Sequence, residues 1–430
     1  MADEFDPYVP EMIEIRRRLH ANPELGWTEF ETTALVATKL QALGFEVHLG
    51  REVVDPEAAL GRDEKLIAAS IERARAAGVS EELLARMDGL TGCVGILETG
   101  RPGPTLAFRH DMDALPIQEL TDPATGHLPA VEGFASKRKG VMHACGHDSH
   151  TSMGLAVAHW LADHKDELCG RVKMIFQPSE EGTRGSGAMV AAGVVDDVDW
   201  FFGAHVGTSA KTGDIQLCRS GFFATTKFDV NFTGLQSHAG NKPEAGKSAL
   251  IAAANAAVML TAIPRTSQGV TRISVGRLDA GEGRNITPAH AHMECEVRGG
   301  TFAANDYMFG RAMAVIKGAA EMQDVKYEVI KTGQAGVLET TDAAMDEMQK
   351  AAEKVPGIKV TTIDDMAGSE DCTLFMHRVM EKGGNPGFFL FGCDHHGHHR
   401  PDFDIQDTKN MKPALQMFVN LAKEICGKKA

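Results

Sequence analysis

A chain of 430 residues with 44 basic and 59 acidic side chains carries a net charge of −15. That sign argues against a nucleic-acid partner or an anionic membrane surface, since either favours clustered Lys and Arg. The length exceeds what one hydrophobic core usually supports, so two domains are expected. No window approaches the roughly 20 apolar residues that span a bilayer. The acidic start Met1-Ala2-Asp3-Glu4-Phe5-Asp6 lacks the basic and apolar regions of a secretory signal, so the sequence reads as cytoplasmic. Its eight cysteines have no paired spacing and are expected to be reduced.

In chain order, apolar positions recur at helical spacing over residues 33–43, with Gly44 placed as a stop. After a short strand-like piece, residues 56–90 form a charged, Ala-rich block. It reads as an exposed helical insertion, with a part in shaping a substrate mouth as the alternative. From Gly95 the texture becomes α/β. Residues 105–109 read as a buried strand that delivers His110-Asp111-Met112-Asp113 to its C-terminal end, where open α/β sheets place ligand-binding groups. Residues 151–168 read as an amphipathic helix, and residues 172–176 and 200–202 as strands that run straight into further candidate residues.

The pattern shifts at Arg219-Ser220-Gly221. A strand at 225–233, a helix at 248–263, strands at 270–277 and 289–298, a helix at 307–322 and a strand at 325–330 give the order β-α-β-β-α-β. That order is the signature of a ferredoxin-like sandwich, here inserted into the first domain. A further strand at 387–391 feeds the cluster His395, His396, His398 and His399.

The chemistry is concentrated in a few short segments. In Cys145-Gly146-His147-Asp148 a thiolate and an imidazole two residues apart can reach one metal ion, and Asp148 can hold the imidazole's second nitrogen. Downstream lie Glu180-Glu181 and His205. Such mixed ligands suit zinc or manganese-class ions better than magnesium or calcium. Two ions about 3.5–4 Å apart can share a water, lower its pKa and stabilise a tetrahedral intermediate. Cys145, His147, Glu181, His205 and one terminal histidine could supply the ligands, leaving Glu180 as the base. His143 and His150 read as supporting groups, His395 and His396 as spectators, and His290 and His292 as the solvated face of a strand. In the insertion, His238 could donate to an oxyanion, and Arg298 presents a fork suited to a carboxylate.

In order along the chain, RRRLHANPELGWTEFET, FRHDMDALPI, MHACGHDSH, FQPSEEG, GAHVG, SHAG, NITP, EVRGG and GSEDCT resemble the M20 metallopeptidase superfamily. Within it the match is to the amidohydrolase branch, subfamily D, marked by Cys-Gly-His-Asp. The resemblance implies an α/β dinuclear-metal, aminopeptidase-like catalytic domain over residues 1–218 and 332–430, its mixed sheet flanked by helices. It further implies an α+β lid and dimerisation domain over 219–331. Cys145, His147, Glu181, His205 and His399 become expected ligands of two divalent ions, manganese or zinc, and Glu180 the general base. His238 would reach an oxyanion from the lid of a partner subunit, Asn285 and Arg298 would hold the substrate's carboxylate, and Asp113 and Asp148 would support the site.

The implied reaction is hydrolysis of the amide bond of a small N-acyl amino acid, foremost p-aminobenzoyl-glutamate. Another acyl amino acid, such as an indoleacetyl-aspartate, or a dipeptide is the alternative. The implied assembly is a homodimer through the lid, or a heteromer with a homologous second subunit in which this chain has little activity alone. Two features depart from the family's pattern. Position 110 is His where Ala is common, which could add a contact. His398 stands directly before His399-Arg400-Pro401, which fits the family's His-x-Pro, so two histidines compete for the last ligand position.

Overall fold

The structure is a computed structural model that describes residues 3–366 and 368–428. It contains two compact units. Met1–Gly221, Leu338–Met366 and Asp371–Ala430 form one, and Phe222–Val337 with Ala367–Glu370 form the other.

The first unit is built on an eight-stranded mixed sheet. From edge to edge its strands are Glu46–Leu49, Cys93–Glu98, Arg171–Gln177, Thr105–Asp111, Trp200–Val206, Asn385–Phe391, Asp214–Cys218 and Lys359–Ile363. The third to sixth run parallel to one another. Parallel strands are covered on both faces and therefore read as near-continuous apolar runs, which is why these segments are recognisable in the sequence. Thr105–Asp111 is buried at all seven positions. Because the strands are parallel, their carboxyl ends share one edge of the sheet. There the chain leaves Asp111, the Gln177-Pro178 junction, His205-Val206 and Phe391, the four points that carry the candidate residues.

The helix expected over 151–168 spans His147–Asp163 instead, and it is buried on nearly every side rather than amphipathic. Its small polar residues deceive a periodicity reading because they are satisfied internally: Thr151 Oγ1 donates to Asp111 O at 2.8 Å and Ser149 Oγ to Gly146 O at 2.5 Å. The helix starts four residues early because Gly146 adopts φ +89° as its N-cap, and a Cβ there would lie 2.4 Å from Val206 Cγ1. Only glycine lets the helix start so close to the neighbouring strand.

The 56–90 block contains helices Glu64–Ala76 and Glu81–Met87, capped by Asp63 and Ser80. It is less exposed than expected. Ile67, Ser70 and Ala74 are buried, and Arg73 pairs with Glu24 at 2.7 Å and Glu31 at 2.9 Å.

The second unit is a four-stranded antiparallel sheet in the order Lys326–Ala335, Ala224–Thr233, His290–Gly299, Thr271–Ala280. Helices Ala249–Thr261 and Phe302–Met322 share its core with Phe228, Val230, Phe232 and Met293. Two boundaries differ from the expected ones by five residues. The last strand pairs along its whole length, through a bulge near Lys331, to Ala335 rather than to residue 330. The second helix begins at Phe302 because Thr301 Oγ1 caps Ala304 N at 3.1 Å. No helix among the described residues is long and apolar enough to cross a membrane.

Candidate metal centre

At the carboxyl edge of the first unit's sheet, Cys145 Sγ lies 3.4 Å from His205 Nε2 and Glu181 Oε1 lies 3.4 Å from His399 Nε2. His147 Nε2 is 3.8 Å from Asp111 Oδ2 and 3.9 Å from Glu180 Oε2. Cys145, His147 and His205 form one group of potential ligands, Cys145, Glu181 and His399 a second, each with its atoms within 4.8 Å of one another. The two groups share the thiol. Ligand atoms bonded to one ion at about 2.0–2.3 Å stand roughly 3.3–3.8 Å apart in a tetrahedral arrangement, so these separations fit atoms that face a common centre.

The orientation of the rings supports this. His147 Nδ1 faces Asp113 O at 3.0 Å and Asp113 Oδ1 at 3.3 Å, while its Nε2 is buried and makes no hydrogen bond. His205 Nδ1 donates to Val206 O at 2.8 Å, which leaves Nε2 towards Cys145. Occupying one ring nitrogen with a carbonyl or carboxylate is how proteins aim the other at a metal. Burial and the nearby rings of His150, His398 and His147 hold His205 well below its ordinary pKa, hence neutral. For His147 burial opposes protonation, yet Asp111, Asp113 and Glu181 outweigh it and raise the pKa to about 10. A pocket that stabilises an extra positive charge so strongly has the electrostatics for a cation. The donor set therefore fits one or more divalent ions.

The adjacent glutamates diverge because the backbone between them turns sharply. Ser179, Gly182 and Thr183 have φ of +52°, +85° and +64°, and strain of this kind persists only where its surroundings enforce it. Enforcement is visible at three points. Glu29 Oε1 accepts from Ser179 N at 2.8 Å, and Asp371 Oδ2 accepts from Gly185 N and Ser186 N at 3.1 and 3.0 Å. Asp113, fully buried, accepts Glu180 N at 3.0 Å on one oxygen and Glu181 N at 2.9 Å on the other. One side chain thus orients His147 and both glutamates. At Gly185 a Cβ would sit 1.7 Å from Pro178 O, so the turn requires glycine.

Several expectations change. Asp148 does not hold His147. Consecutive helix residues point about 100° apart, and Asp148 turns to Arg16 at 2.9 Å and His20 at 2.7 Å. His399 rather than His398 faces Glu181. His398 instead donates from Nε2 to Val206 O at 3.1 Å and packs on His205 and Phe403. His110 adds no contact to the site, because it is buried between Phe176 and Phe418 and burial lowers its pKa to about 3. His238, Asn285 and Arg298 belong to the second unit. Within it, His238 Nδ1 accepts from Gly240 N and Asn241 N at 3.2 and 3.1 Å, Ala239 N donates to Asn285 O at 3.0 Å, and Arg298 pairs with Glu296 at 2.8 Å.

Sequence reasoning assigns no role to Asp111, Arg109, Arg16, His20 or Glu119. Asp111 binds Arg109 and His150, both at 2.6 Å. Arg16, in the run Arg16-Arg17-Arg18, is fully buried among Asp148, Asp404 and Asp407. His20 is buried between Asp148 and Glu119. Burial and Arg16 disfavour its charge, but the two carboxylates prevail and raise its pKa to about 8. Protonated His20 therefore contributes stability in full below its unfolded pKa of about 6.5, and the contribution is lost as pH rises through about 8. His20→Gln is expected to cost about 2 kcal/mol more at pH ~6 than at pH ~9. Urea midpoints of both proteins at the two pH values would check this, and an equal cost at both would remove His20 as the cause.

Residues 107–424 match the family model for peptidase family M20/M25/M40. The chain belongs to this family. It is 47% identical over 405 residues to an indole-3-acetyl-aspartic acid hydrolase of Enterobacter agglomerans, covering 93% of this chain and 92% of that one. It is 45% identical to a p-aminobenzoyl-glutamate hydrolase subunit of Escherichia coli (strain K12), with the same coverage of 93% and 92%. Among solved structures, an aminobenzoyl-glutamate utilization protein from Klebsiella pneumoniae matches with TM-score 0.84 and 41% identity over 98% of both chains. A Bacillus subtilis dinuclear metal binding peptidase from the M20 family matches with TM-score 0.68 and 25% identity, over 97% of this chain and 98% of that one. This M20 chain is accordingly a hydrolase, and it carries the candidate ligand groups of a metal-dependent one.

Proposed function

We propose that this M20 chain hydrolyses the amide bond that joins an aromatic acyl group to an acidic amino acid, with p-aminobenzoyl-glutamate as the first substrate to test. Indoleacetyl-aspartate is the second, favoured by the 47% identical relative. Cys145, His147, Glu181, His205 and His399 would hold two divalent ions, manganese or zinc. Bound there, the ions would supply an acidified water and a counter-charge for the oxygen of the attacked carbonyl.

The chain's own groups do the rest. Glu180 takes the proton of the attacking water and returns it to the leaving nitrogen, so that glutamate departs as a neutral amine. Asp113 keeps Glu180 in place through its peptide N–H. His238 is the proposed oxyanion donor. Two peptide N–H groups occupy its Nδ1, so the neutral ring carries its proton on Nε2, where it can be donated. Asn285 and Arg298 take the substrate's free carboxylate. The lid is the proposed dimerisation element; the other possible partner is a homologous second subunit. The proposed compartment is the cytoplasm, where the eight cysteines, none of them in a disulfide, stay reduced.

The observation that carries this reading is the pair of ligand groups that share the buried Cys145, with the Glu180 carboxylate beside them at His147. Stripping the protein with a chelator is expected to abolish release of glutamate from p-aminobenzoyl-glutamate and to lower the melting temperature. Adding back zinc or manganese should restore both. Turnover that survives complete metal removal would overturn the proposal, and a size measurement on the active sample separates homodimer from heteromer.

A further inference from the structure

Beside Glu181 the first unit contains a cleft of about 220 Å³ lined by Trp27, Leu66, Ile67, Pro116, Glu181 and Arg184 among others. Leu66 and Ile67 come from the 56–90 insertion. The walls are fixed. Trp27 is 1% exposed, its indole N–H donates to Leu60 O at 2.7 Å, and the Arg62 guanidinium lies 5.8 Å from its ring. Arg184 ties the insertion to the turn that carries the glutamates, donating to Glu181 O at 2.9 Å and Gly61 O at 3.2 Å. Leu66 is 50% exposed, so its isobutyl group faces open space and contributes little to the core.

The chemistry of this cleft is selective. Its walls are mainly apolar, and the charged side chains among them are Asp63, Glu181 and Arg184. A charged amino-acid moiety would lose hydration there without a partner on the Trp27, Leu66 and Ile67 side. A flat ring loses nothing polar. An apolar cavity of about 150 Å³ accepts benzene, so this one holds a single substituted ring or an indole. A ring seated there would belong to a molecule whose adjoining carbonyl lies at Glu181, one of the candidate ligands. The relatives at 47% and 45% identity are both named for substrates with aromatic acyl groups.

We propose that this cleft is the acyl subsite, that it receives the aromatic ring of the substrate, and that the 56–90 insertion sets acyl selectivity through Leu66. The inference rests on the amide-hydrolase reading above. It is tested on the metal-loaded full chain by measuring kcat/KM for p-aminobenzoyl-glutamate and N-acetyl-glutamate. Leu66→Asp puts a charge into the wall and Leu66→Trp fills the space. Each is expected to lower the aroyl-to-acetyl ratio of kcat/KM about ten- to a hundredfold. Val131→Asp, an exposed apolar position outside the lining, is the control and should leave the ratio unmoved. Because Leu66 is half exposed, both variants should melt with the parent protein.

Calorimetric titration with benzamide supplies a readout that needs no turnover. Saturable binding to the parent, weakened at least tenfold by Leu66→Asp, is the expected result. An unchanged ratio in both Leu66 variants, or benzamide binding indifferent to Leu66→Asp, would overturn the subsite. Benzamide binding that depends on Leu66, in a protein that hydrolyses no N-acyl amino acid, would sustain the subsite and sink the hydrolase reading.

Discussion

Replacing Glu180 by Gln is expected to lower kcat for N-acyl amino acid hydrolysis by about two to four orders of magnitude, the usual contribution of a positioned acid–base group. The carboxamide keeps the size of the side chain, and the backbone hydrogen bond from Glu180 N to Asp113 at 3.0 Å does not depend on it. Fold and metal content should therefore persist. What Gln cannot do is accept a proton from water and pass it on. The fall should appear in kcat rather than KM, because the lost interaction is made only as the proton moves. Steady-state kinetics with elemental analysis of the same sample would check this. A Glu180→Gln enzyme with near-parental kcat at full metal occupancy would show that another group is the base.

Asp113→Asn is expected to have the second large effect, on metal affinity and stability together. Its two oxygens accept Glu180 N, Glu181 N and the Nδ1 side of His147, and the residue is 1% exposed. Asn offers one acceptor and turns an N–H donor towards at least one of those partners. A buried donor left unpaired costs about 1–3 kcal/mol. Loss of a group that orients a metal-binding imidazole typically weakens metal affinity about 10–100-fold. One offset must be counted. Burial and, after it, repulsion by Asp113 raise the pKa of Glu29, and relieving the repulsion returns part of the stability. Metal affinity is therefore the cleaner readout. A metal titration giving the parental dissociation constant would show that Asp113 does not set the geometry of the centre.

Much of this is legible in the order of the residues. The four parallel strands stand out as apolar runs because both their faces are covered, and the alternation of elements in the second unit yields its β-α-β-β-α-β order. Cys145, His147, Glu181 and His205 are conspicuous because each follows or ends such a strand, or sits on a glycine turn.

Other features are decided only in three dimensions. Asp113 meets Glu180 and Glu181 across 67 and 68 residues, a contact that exists because Thr105–Asp111 and Arg171–Gln177 are parallel neighbours. The neighbour in sequence, Asp148, is carried away from His147 by the helical turn. His399 and His398 are adjacent in sequence, yet the backbone at His399, at φ +60°, sends their rings to different partners, Glu181 and Val206. The insertion reads as charged and solvated because most of a helix surface can be, while the stripe with Ile67, Ser70 and Ala74 is buried. Sequence determined which groups could bind metal and which segments would be strands. The parallel register and the left-handed backbone at Gly146, at Ser179, Gly182 and Thr183, and at His399 decided which of those groups face one another, because side-chain direction depends on backbone geometry that residue identity alone does not set.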